Sequence, residues 1–472
     1  MYSIQDFNEF ARKTENKVRE FLREGKDLAE LTLGLQEDLF ELGRNILVET
    51  LEGMDEQLRK SGVRKNNWEI VRKDETGILT TFGTIKYNRT YFKPKSGGKR
   101  KYLVDELVGL KPHDRVSADV VINVVEEAID SSYRKGGERA GYMDEISKQA
   151  VMDKIHNLEI SEHEHKVDKK RDVRILYVEA DEDHVSLQGE DDKSKIAMPR
   201  LVYVHEGVDP EKSSQTRTRL KNVKYFGGMY DESEDLWLEV IEYIDKQYDM
   251  DFIETIYLSG DGASWIKAGL DWIPKSKFVL DNFHLKKYMI TATAHLNDGD
   301  IYQELKDALD WPDKDMVKDV FKKILKRTVS KTKRKAVKDA RRYILNNWHG
   351  IEIKADKGHE LIGCSAEGHI SHVFSSRLSS RPKGWSEKGV ARMSKLIVYK
   401  KNGGRIYDLV MAQKLKEKEN RKHELQDELI KEVRKSSESR YAGSWSSSPT
   451  VITMGKKTGL FNEMRSMAGI RY

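Results

Sequence analysis

The segment between about residues 172 and 290 changes its hydrophobic period in a definite order, and this order constrains the fold more than any other feature. Strand patterns rich in β-branched and aromatic residues occupy three consecutive segments, which are residues 173–188, 196–208 and 220–230. Helix and strand patterns then alternate, with a helix from Ser233, a strand at 252–259, a helix at 263–273, a strand at 277–283 and a helix from His284. The order βββαβαβα predicts an α/β core built on a mixed sheet that carries helices on its faces.

The residues that follow this core show helical patterns only. We predict an all-α insertion at about 285–355, inside a domain that spans about 170–390. Three regions are predicted before this domain, and they are a helical segment at 1–65 that is a possible oligomerisation region, a β-hairpin region at 66–116 and a helical pair at 117–165. A basic helical tail is predicted at 391–472.

The helical pair at 117–165 has two interpretations. One helix carries an apolar face that includes Val120, Val124 and Ile129, and a glycine-bearing turn separates it from a helix that begins near Ser147. Two short helices around a glycine turn fit a helix-turn-helix that reads DNA, and they also fit an ordinary helical hairpin. The sequence leaves both interpretations open.

Charge is distributed unevenly along the chain. The whole chain has 84 Lys and Arg against 79 Asp and Glu, which gives a net charge of +5. The local net charge is −5 over residues 1–60, +10 over 318–342 and +12 over 377–472. Basic blocks on an otherwise balanced chain favour a polyanionic partner, although solvated helix faces would give the same pattern.

Several classes of protein are excluded by the same composition. No run of about 18 apolar residues is present, so we expect no membrane-spanning helix. Cys364 is the single cysteine, which excludes an intrachain disulfide framework and a zinc site built from several cysteines. We therefore expect a cytoplasmic, nucleoid-associated protein.

Three acidic residues are notable for their position in the pattern. Asp181 lies in or at the end of the first core strand, Asp261 follows the apolar strand in a Gly-Asp-Gly sequence, and Glu367 lies in a helical pattern with Arg377 predicted on the same face. The carboxyl ends of strands in an open α/β sheet are where ligands bind. Carboxylates that converge from separate elements repel one another unless a cation lies between them, and hard oxygen ligands favour Mg²⁺. Each residue taken alone also fits an ordinary turn or surface acid.

These motifs together resemble those of DDE-type insertion-sequence transposases of the ISLre group, which are related to the Mutator-like superfamily and have an RNase H-like core. The resemblance rests on three blocks, which are Glu179-Ala-Asp-Glu-Asp-His184, Ser259-Gly-Asp-Gly-Ala263 with the later Asp281-Asn-Phe-His284, and Ala366-Glu-Gly-His369 through Arg381-Pro-Lys-Gly-Trp385. It is carried mainly by residues 172–390. It implies an RNase H-like catalytic domain that cleaves DNA at the ends of a mobile element and joins those ends to target DNA.

The resemblance also implies roles for individual residues. Asp181, Asp261 and Glu367 would be catalytic and would bind two Mg²⁺ or Mn²⁺ ions. Asp281 and His284 would support these ligands or contact DNA, and the alternative is a helix cap beside an ordinary histidine. Glu179 and Asp183 share a strand face with Asp181, so either neighbour could contribute to the metal site.

The expected partner is double-stranded DNA, both the terminal inverted repeats and the target, bound by a homodimer or a higher homo-oligomer. Phosphate contacts are expected from basic residues of the insertion and from two arginines near the third acid, namely Lys322, Lys323, Lys326, Arg327, Lys333, Arg334, Lys335, Arg377 and Arg381. Two other functions stay open. One is an RNase H-like nuclease or resolvase without strand transfer, and the other is an inactive DNA-binding derivative of a transposase.

Overall fold

Two long helices and a three-stranded sheet form the amino-terminal part of the chain. The computed structural model describes residues 4–142, 144–161, 169–188, 195–214, 218–380 and 384–420. The elements of this part are α1 (Ile4–Glu24), α2 (Leu28–Lys60), α3 (Gly62–Asn67), β1 (Trp68–Thr80), β2 (Gly83–Pro94), β3 (Lys101–Tyr102) and α4 (Leu103–Val108). Helix α2 begins where the side chain of Asp27 accepts a hydrogen bond from the backbone N–H of Ala29. The predicted hairpin is confirmed as the antiparallel pair β1–β2.

Three short helices follow, and they pack closely through two glycines. They are α5 (Ala118–Asp130), α6 (Tyr133–Glu138) and α7 (Lys148–Asn157). Gly136 and Gly137 of α6 are buried. A Cβ atom on Gly137 would lie 2.1 Å from the carbonyl oxygen of Ile146, and one on Gly136 would lie 2.7 Å from that of Val124. The close approach of backbone to backbone therefore requires glycine at both positions.

The centre of the molecule is a mixed five-stranded sheet. The strands and helices of this region are β4 (Ile175–Glu182), β5 (Val185–Ser186), β6 (Ile196–Ala197), β7 (Arg200–His205), β8 (Lys224–Gly228), α8 (Ser233–Gln247), β9 (Thr255–Gly260), α9 (Ser264–Lys267), α10 (Gly269–Trp272) and β10 (Ser276–Leu280). The strand order is β10-β9-β4-β7-β8. Strand β4 pairs parallel with β9 and antiparallel with β7, so the predicted mixed sheet is confirmed.

Two of the predicted strands are divided in the structure. The segment predicted as one strand at 173–188 forms β4 and β5, and the segment at 196–208 forms β6 and β7. Strands β5 and β6 pair with each other in a separate two-stranded sheet. Pro199 lies between β6 and β7, where it has no N–H to donate to a ladder and its carbonyl accepts from the N–H of Asp183. The chain therefore leaves the central sheet just after Asp181.

Helices cover the sheet and extend from it. Helix α8 places Leu236, Trp237, Val240 and Ile244 in the core. The helices that follow are α11 (Asn282–Thr293), a 3₁₀ turn (Ala294–Leu296), α12 (Gly299–Asp310), α13 (Lys314–Arg327), α14 (Lys331–Asn346) and α15 (Trp348–Asp356). This segment is helical throughout, as predicted, and its buried apolar residues join the same hydrophobic core as the sheet.

The chain then returns to the sheet through a distorted helix. The elements are α16 (Ala366–Ile370), a π-helical turn (Ser371–Ser375), α17 (Ser376–Leu378) and α18 (Glu387–Lys401), and a further helix begins at residue 406. The side chain of Asn402 follows α18 and pairs with the edge strand β8, with distances of 2.8 Å to both the N–H and the carbonyl oxygen of Tyr225. The described residues up to Leu415 pack as one unit, and residues 416–420, the described part of a second unit, are helical.

The close packing of α6 gives a test of this architecture. We expect Gly137→Ala to lower the free energy of unfolding by about 1–3 kcal/mol, because its methyl group overlaps the carbonyl of Ile146. Chemical denaturation of the full chain measures the change. The matched control is Gly53→Ala in α2, where no atom lies within 4 Å of the new methyl group, so the higher helix propensity of alanine should stabilise the protein by up to about 1 kcal/mol. Equal effects of the two substitutions would contradict the described packing.

Candidate functional site

Three aspartates lie at one edge of the central sheet because three adjacent strands end there. Strand β9 is parallel to both β4 and β10, and the register pairs Glu179 with Ser259 and Leu280 with Gly260. Asp181 lies near the carboxyl end of β4, and Asp261 and Asp281 directly follow β9 and β10. The prediction that Asp181 and Asp261 lie at strand ends is confirmed, whereas Asp281, which falls inside the strand predicted at 277–283, follows β10 and caps α11.

Asp181 has an environment that disfavours its charged form. The pKa of Asp181 is raised to about 6, chiefly by burial, and the nearby carboxylates of Asp261 and Glu367 act in the same direction. The backbone N–H of Glu182, which donates to Asp181 Oδ1 at 2.9 Å, and the imidazole of His284 act in the opposite direction. Asp261 and Glu367 are therefore both close enough in space to Asp181 to affect its ionisation.

Asp281 and His284 form a pair at the start of α11. The side chain of Asp281 accepts hydrogen bonds from the backbone N–H groups of Phe283 and His284, and it also lies 2.9 Å from Nδ1 of His284. This hydrogen bond raises the pKa of His284, against the effect of burial, and the charges of Asp181 and Asp261 raise it as well. Asp281 thus caps helix α11, as one of the two sequence interpretations predicted. It also bonds the imidazole of His284, on which the charges of Asp181 and Asp261 act.

Glu367 lies on α16 and is exposed to solvent. The sequence predicted that Arg377 shares its helix face, and this prediction is wrong. The π-helical turn at Ser371–Ser375 inserts extra residues per turn, so the regular spacing is lost between the two residues. Arg377 is only 6% exposed, and its Nε donates to the carbonyl oxygen of Ala128 at 2.9 Å while its guanidinium lies over the ring of Trp385. Arg377 therefore holds α17 against α5 instead of lying on a surface beside the third acid.

Glu179 connects the first and third acids through a buried hydrogen-bond network. Its carboxylate accepts from the backbone N–H of Ser365 at 2.6 Å and from the hydroxyl of Tyr203. It also lies 3.1 Å from Nε2 of His205, whose Nδ1 accepts from the N–H of Gly207, so Nε2 is the nitrogen that donates to Glu179. Burial raises the pKa of Glu179, but these hydrogen bonds outweigh it and hold the pKa below its ordinary value.

Asp183 contacts the same segment at its other end. Its Oδ1 accepts hydrogen bonds from the hydroxyls of Ser375 at 3.0 Å and Ser379 at 2.8 Å, and the residue is buried. Glu179 and Asp183 thus hold residues 365–379 on either side of Asp181, and Glu367 lies within the segment that they hold. The sequence predicted only that these two neighbours could share the role of Asp181. Their hydrogen bonds to the segment of Glu367 could not be predicted from local pattern.

Helix α14 forms a wall beside Asp261. The hydroxyl of Tyr343 donates to the carbonyl oxygen of Asp261 at 2.6 Å, and its ring stacks on Tyr288 with centroids 3.8 Å apart. Gly262 has φ +87° and approaches Asn347 so closely that a Cβ atom would lie 2.3 Å from Oδ1 of Asn347. The helical segment therefore fixes the loop of the second acid, and the sequence carried no signal for Tyr343 beyond its aromatic type.

The basic residues predicted in the insertion lie on α13 and α14, and most of them are exposed. Lys322 pairs with Asp319, Lys323 with Glu304 and Arg327 with Asp298. Arg334 donates to the carbonyl oxygens of Leu325 and Thr328 at the end of α13. Within the described part of the chain, Lys326, Lys333 and Lys335 have no acidic partner. Arg381 lies outside the described residues.

Asp181, Asp261, Asp281 and Glu367 make this region acidic. Among the described residues, no three His, Cys, Asp or Glu side chains are grouped closely enough to be recognised as a metal site. The donor set itself consists of carboxylate oxygens, which are the ligands that Mg²⁺ and Mn²⁺ prefer.

Over the described residues, no helix has the length and apolar composition needed to cross a bilayer.

Fold and site together define a mixed α/β protein with an acidic cluster at the carboxyl edge of its central sheet. The chain belongs to UPF0236, an uncharacterised protein family, whose model matches residues 21–416. Two UPF0236 proteins of Caldanaerobacter subterraneus subsp. tengcongensis are each 39% identical to it over 468 residues, covering 98% of this chain and 97% of their own length. The name of one joins eleven locus designations and that of the other joins four.

One comparison with solved structures gives a weak match. The Drosophila P element transposase strand transfer complex covers 60% of this chain and 80% of its own, with 12% sequence identity and a TM-score of 0.21.

The Glu179 network generates a prediction that needs no assumption about function. Glu179→Gln keeps the shape of the side chain but replaces one acceptor oxygen by an NH₂ group, which can only donate, so the single remaining oxygen cannot accept from both Ser365 and His205. We expect faster hydrogen exchange across residues 364–370 and a fall of about 1–3 kcal/mol in the free energy of unfolding. Hydrogen-exchange mass spectrometry measures the first effect and denaturation the second. The control is Glu182→Gln on the same strand, and unchanged exchange at 364–370 in Glu179→Gln would contradict the network.

Proposed function

We propose that this protein is a DNA transposase of an insertion sequence, and that it cleaves phosphodiester bonds at the ends of its element and joins them to target DNA with the help of divalent metal ions. The observation that carries the proposal is that Asp181 and Asp261 lie at the ends of adjacent parallel strands and that the charges of Asp261 and Glu367 both act on Asp181. The three acids belong to a strand, a strand-to-helix loop and a helix that are up to 186 residues apart in the chain.

Carboxylates that lie near one another raise the energy of the folded protein unless a cation is bound between them. The charges of Asp261 and Glu367 raise the pKa of Asp181 in addition to burial, so the metal-free cluster carries an unfavourable electrostatic energy. A bound cation would remove that energy, and carboxylate oxygens suit Mg²⁺ or Mn²⁺. Buried hydrogen bonds of Glu179 and Asp183 hold the segment of Glu367 near the strand of Asp181. Carboxylates that are kept near one another in this way are typical of a ligand site and not of a turn or surface acid.

The topology supports the same proposal. The order β10-β9-β4-β7-β8, with three antiparallel strands followed by two parallel ones, agrees with the RNase H-like core that the sequence motifs imply. The acids occupy the first strand of the core, the loop after its fourth strand, and the helix that follows the helical segment. These are the positions at which the resemblance to the ISLre group expects them.

Asp181, Asp261 and Glu367 would hold two divalent ions. When bound, such ions lower the pKa of a water or 3′-hydroxyl nucleophile and stabilise the leaving oxygen of an in-line displacement. The protein's own residues prepare the site for this chemistry. Glu179 and Asp183 hold the segment of Glu367 against the strand of Asp181, Tyr343 fixes the loop of Asp261, and His284 places a basic group among the acids.

The relatives add support of a different kind. A relative whose name joins eleven locus designations of one strain fits a gene that occurs at many places in a genome, as a self-propagating element would. DNA as the partner also fits the exposed lysines of α13 and α14 that lack acidic partners within the described chain, because phosphate contacts require free cations. Joining two element ends would require a homodimer or a higher homo-oligomer.

Metal binding can be tested without an activity assay. We expect Mn²⁺ or Mg²⁺ to raise the Tm of the metal-free wild-type protein, with a stabilisation of about 2.7 kcal/mol at 100 times the dissociation constant. Asp181→Asn should abolish the rise without destabilising the metal-free protein, because it removes a carboxylate from a repulsive cluster. Differential scanning calorimetry measures both. The control is Asp271→Asn on α10, which should keep the rise; an equal rise in Asp181→Asn would remove Asp181 from the metal site.

The reaction itself is tested with DNA from the flanks of this reading frame. Purified protein with Mg²⁺ or Mn²⁺ should cut a duplex that contains the element end and should join a pre-cut end to plasmid DNA. Asp261→Asn and Glu367→Gln should each lower both rates at least about 100-fold, because removing a group needed in the transition state typically costs that much. Gel electrophoresis and sequencing of the joints are the measurements.

Each alternative gives a distinct result in this assay. Cutting without joining would identify a nuclease or resolvase, and binding without cutting would identify an inactive derivative. Cutting and joining by Asp261→Asn at the wild-type rate would show that the acidic cluster is assigned the wrong role.

A further inference from the structure

The outer face of α11 presents an exposed aromatic ring and two lysines next to the acidic cluster. Phe283 is 52% exposed and Ile290, two turns later, is also 52% exposed. Lys286 and Lys287 lie between them on the same exposed face, while Leu285 and Met289 of the same helix are buried in the core. The exposed spacing is that of one helix face.

The position of this face relative to the acids follows from its first turn. Phe283 lies between Asp281, whose side chain caps the helix, and His284, whose ring meets that of Phe283 edge to face at 5.3 Å. The charges of Asp181 and Asp261 act on His284, so Phe283 is one residue from a group in electrostatic contact with both acids. The phenyl ring is therefore at the rim of the proposed catalytic site.

A third lysine reaches this face from α15. Nζ of Lys354 lies 2.7 Å from Oδ1 of Asn282, and its charge is close enough to Lys286 for the two to repel each other. Among the described residues, Lys286 and Lys287 have no acidic partner. Lysines on or next to the helix face that carries an exposed aromatic ring, two of which repel each other, gain from the binding of a polyanion.

A single exposed phenylalanine is common on protein surfaces and indicates nothing by itself. The combination here is more specific. Aromatic rings interspersed with unpaired cations are how proteins bind single-stranded nucleic acid, because a base can stack on the ring while lysines contact the phosphates. A base that is still paired and stacked in a duplex has no free face to offer, so the ring selects DNA that is unpaired at this point.

We propose that the outer face of α11, defined by Phe283, Lys286 and Lys287 and extended by Lys354, binds an unpaired stretch of the substrate strand beside the scissile phosphate, with Phe283 stacked on its first unpaired base. This inference rests on the proposed function. It assigns to the site a preference for distorted or single-stranded DNA at the point of cleavage, and it assigns this preference to residues outside the acidic cluster.

Binding of defined DNA probes tests the proposal. The full-length protein with Asp261→Asn, which keeps the DNA intact, is titrated with a duplex that ends in a single-stranded overhang of the element end and contains 2-aminopurine as the first unpaired base. The fluorescence of 2-aminopurine should be quenched when it stacks on Phe283. The additional Phe283→Ala substitution should remove the quenching and weaken binding by about 5- to 150-fold, and Phe283→Trp should preserve both.

Matched controls separate stacking from general damage. Phe252 is 48% exposed in the loop before β9, at the opposite end of the strand from Asp261, so Phe252→Ala should change neither quenching nor affinity. A fully paired duplex of the same sequence should lose less affinity with Phe283→Ala than the overhang does. Lys287→Ala should lower the slope of log affinity against log salt by about 0.7 on the overhang.

The outcomes distinguish this inference from the proposed function. If wild-type protein neither binds nor cuts element-end DNA, the proposed function fails. If wild-type protein cuts but Phe283→Ala binds the overhang with unchanged affinity and quenching, only the role of the α11 face is refuted. Equal losses on paired and overhanging DNA, or a loss that tryptophan does not rescue, would also refute it.

Discussion

The buried carboxylate of Glu179 is the interaction on which the geometry of the site depends. It lies in the central strand of the sheet, two residues before Asp181. It accepts a hydrogen bond from the backbone N–H of Ser365, which lies two residues before Glu367. Removing a carboxylate from water is costly unless it is hydrogen-bonded, and here His205, Tyr203 and Ser365 together supply the donors. Because the partners come from a neighbouring strand and a distant segment, the network stabilises one arrangement of the two, and this arrangement brings the first and third acids together.

The structure separates groups that support the site from groups that are available to a ligand. Glu179, Asp183 and Asp281 have low exposure and accept hydrogen bonds from the protein itself. Asp181, Asp261 and Glu367 are less buried, and the charges of Asp261 and Glu367 disfavour the charged form of Asp181. Rigid support around a group of mutually repelling charges stores electrostatic energy that a bound cation can release. The same reasoning applies to Lys286 and Lys354 near Phe283, whose mutual repulsion an anionic partner would relieve.

The helical segment has a role in the site as well as in the core. Helix α14 holds the Asp261 loop through the hydroxyl of Tyr343 and the close approach of Asn347 to Gly262, while its exposed face carries lysines. Helix α15 brings Lys354 to the start of α11. A segment that looks like an independent helical insertion in the sequence is therefore joined to the sheet at the two loops that carry Asp261 and Asp281. The packing contacts of this segment and its lysines therefore lie at the edge of the sheet that carries Asp261 and Asp281.

The sequence alone determined the features that depend on local periodicity. The order of strands and helices in the core, the helical segment, and the placement of Asp181 and Asp261 at strand ends follow from side-chain spacing over a few residues. Tertiary structure alone decided which neighbours of Asp181 support the site, because the bond from Ser365 to Glu179 joins residues 186 positions apart. It also decided that Arg377 turns inward, since a single π-helical turn shifts every later residue to another face. Contacts between distant segments depend on how whole elements pack, and no local pattern records that packing.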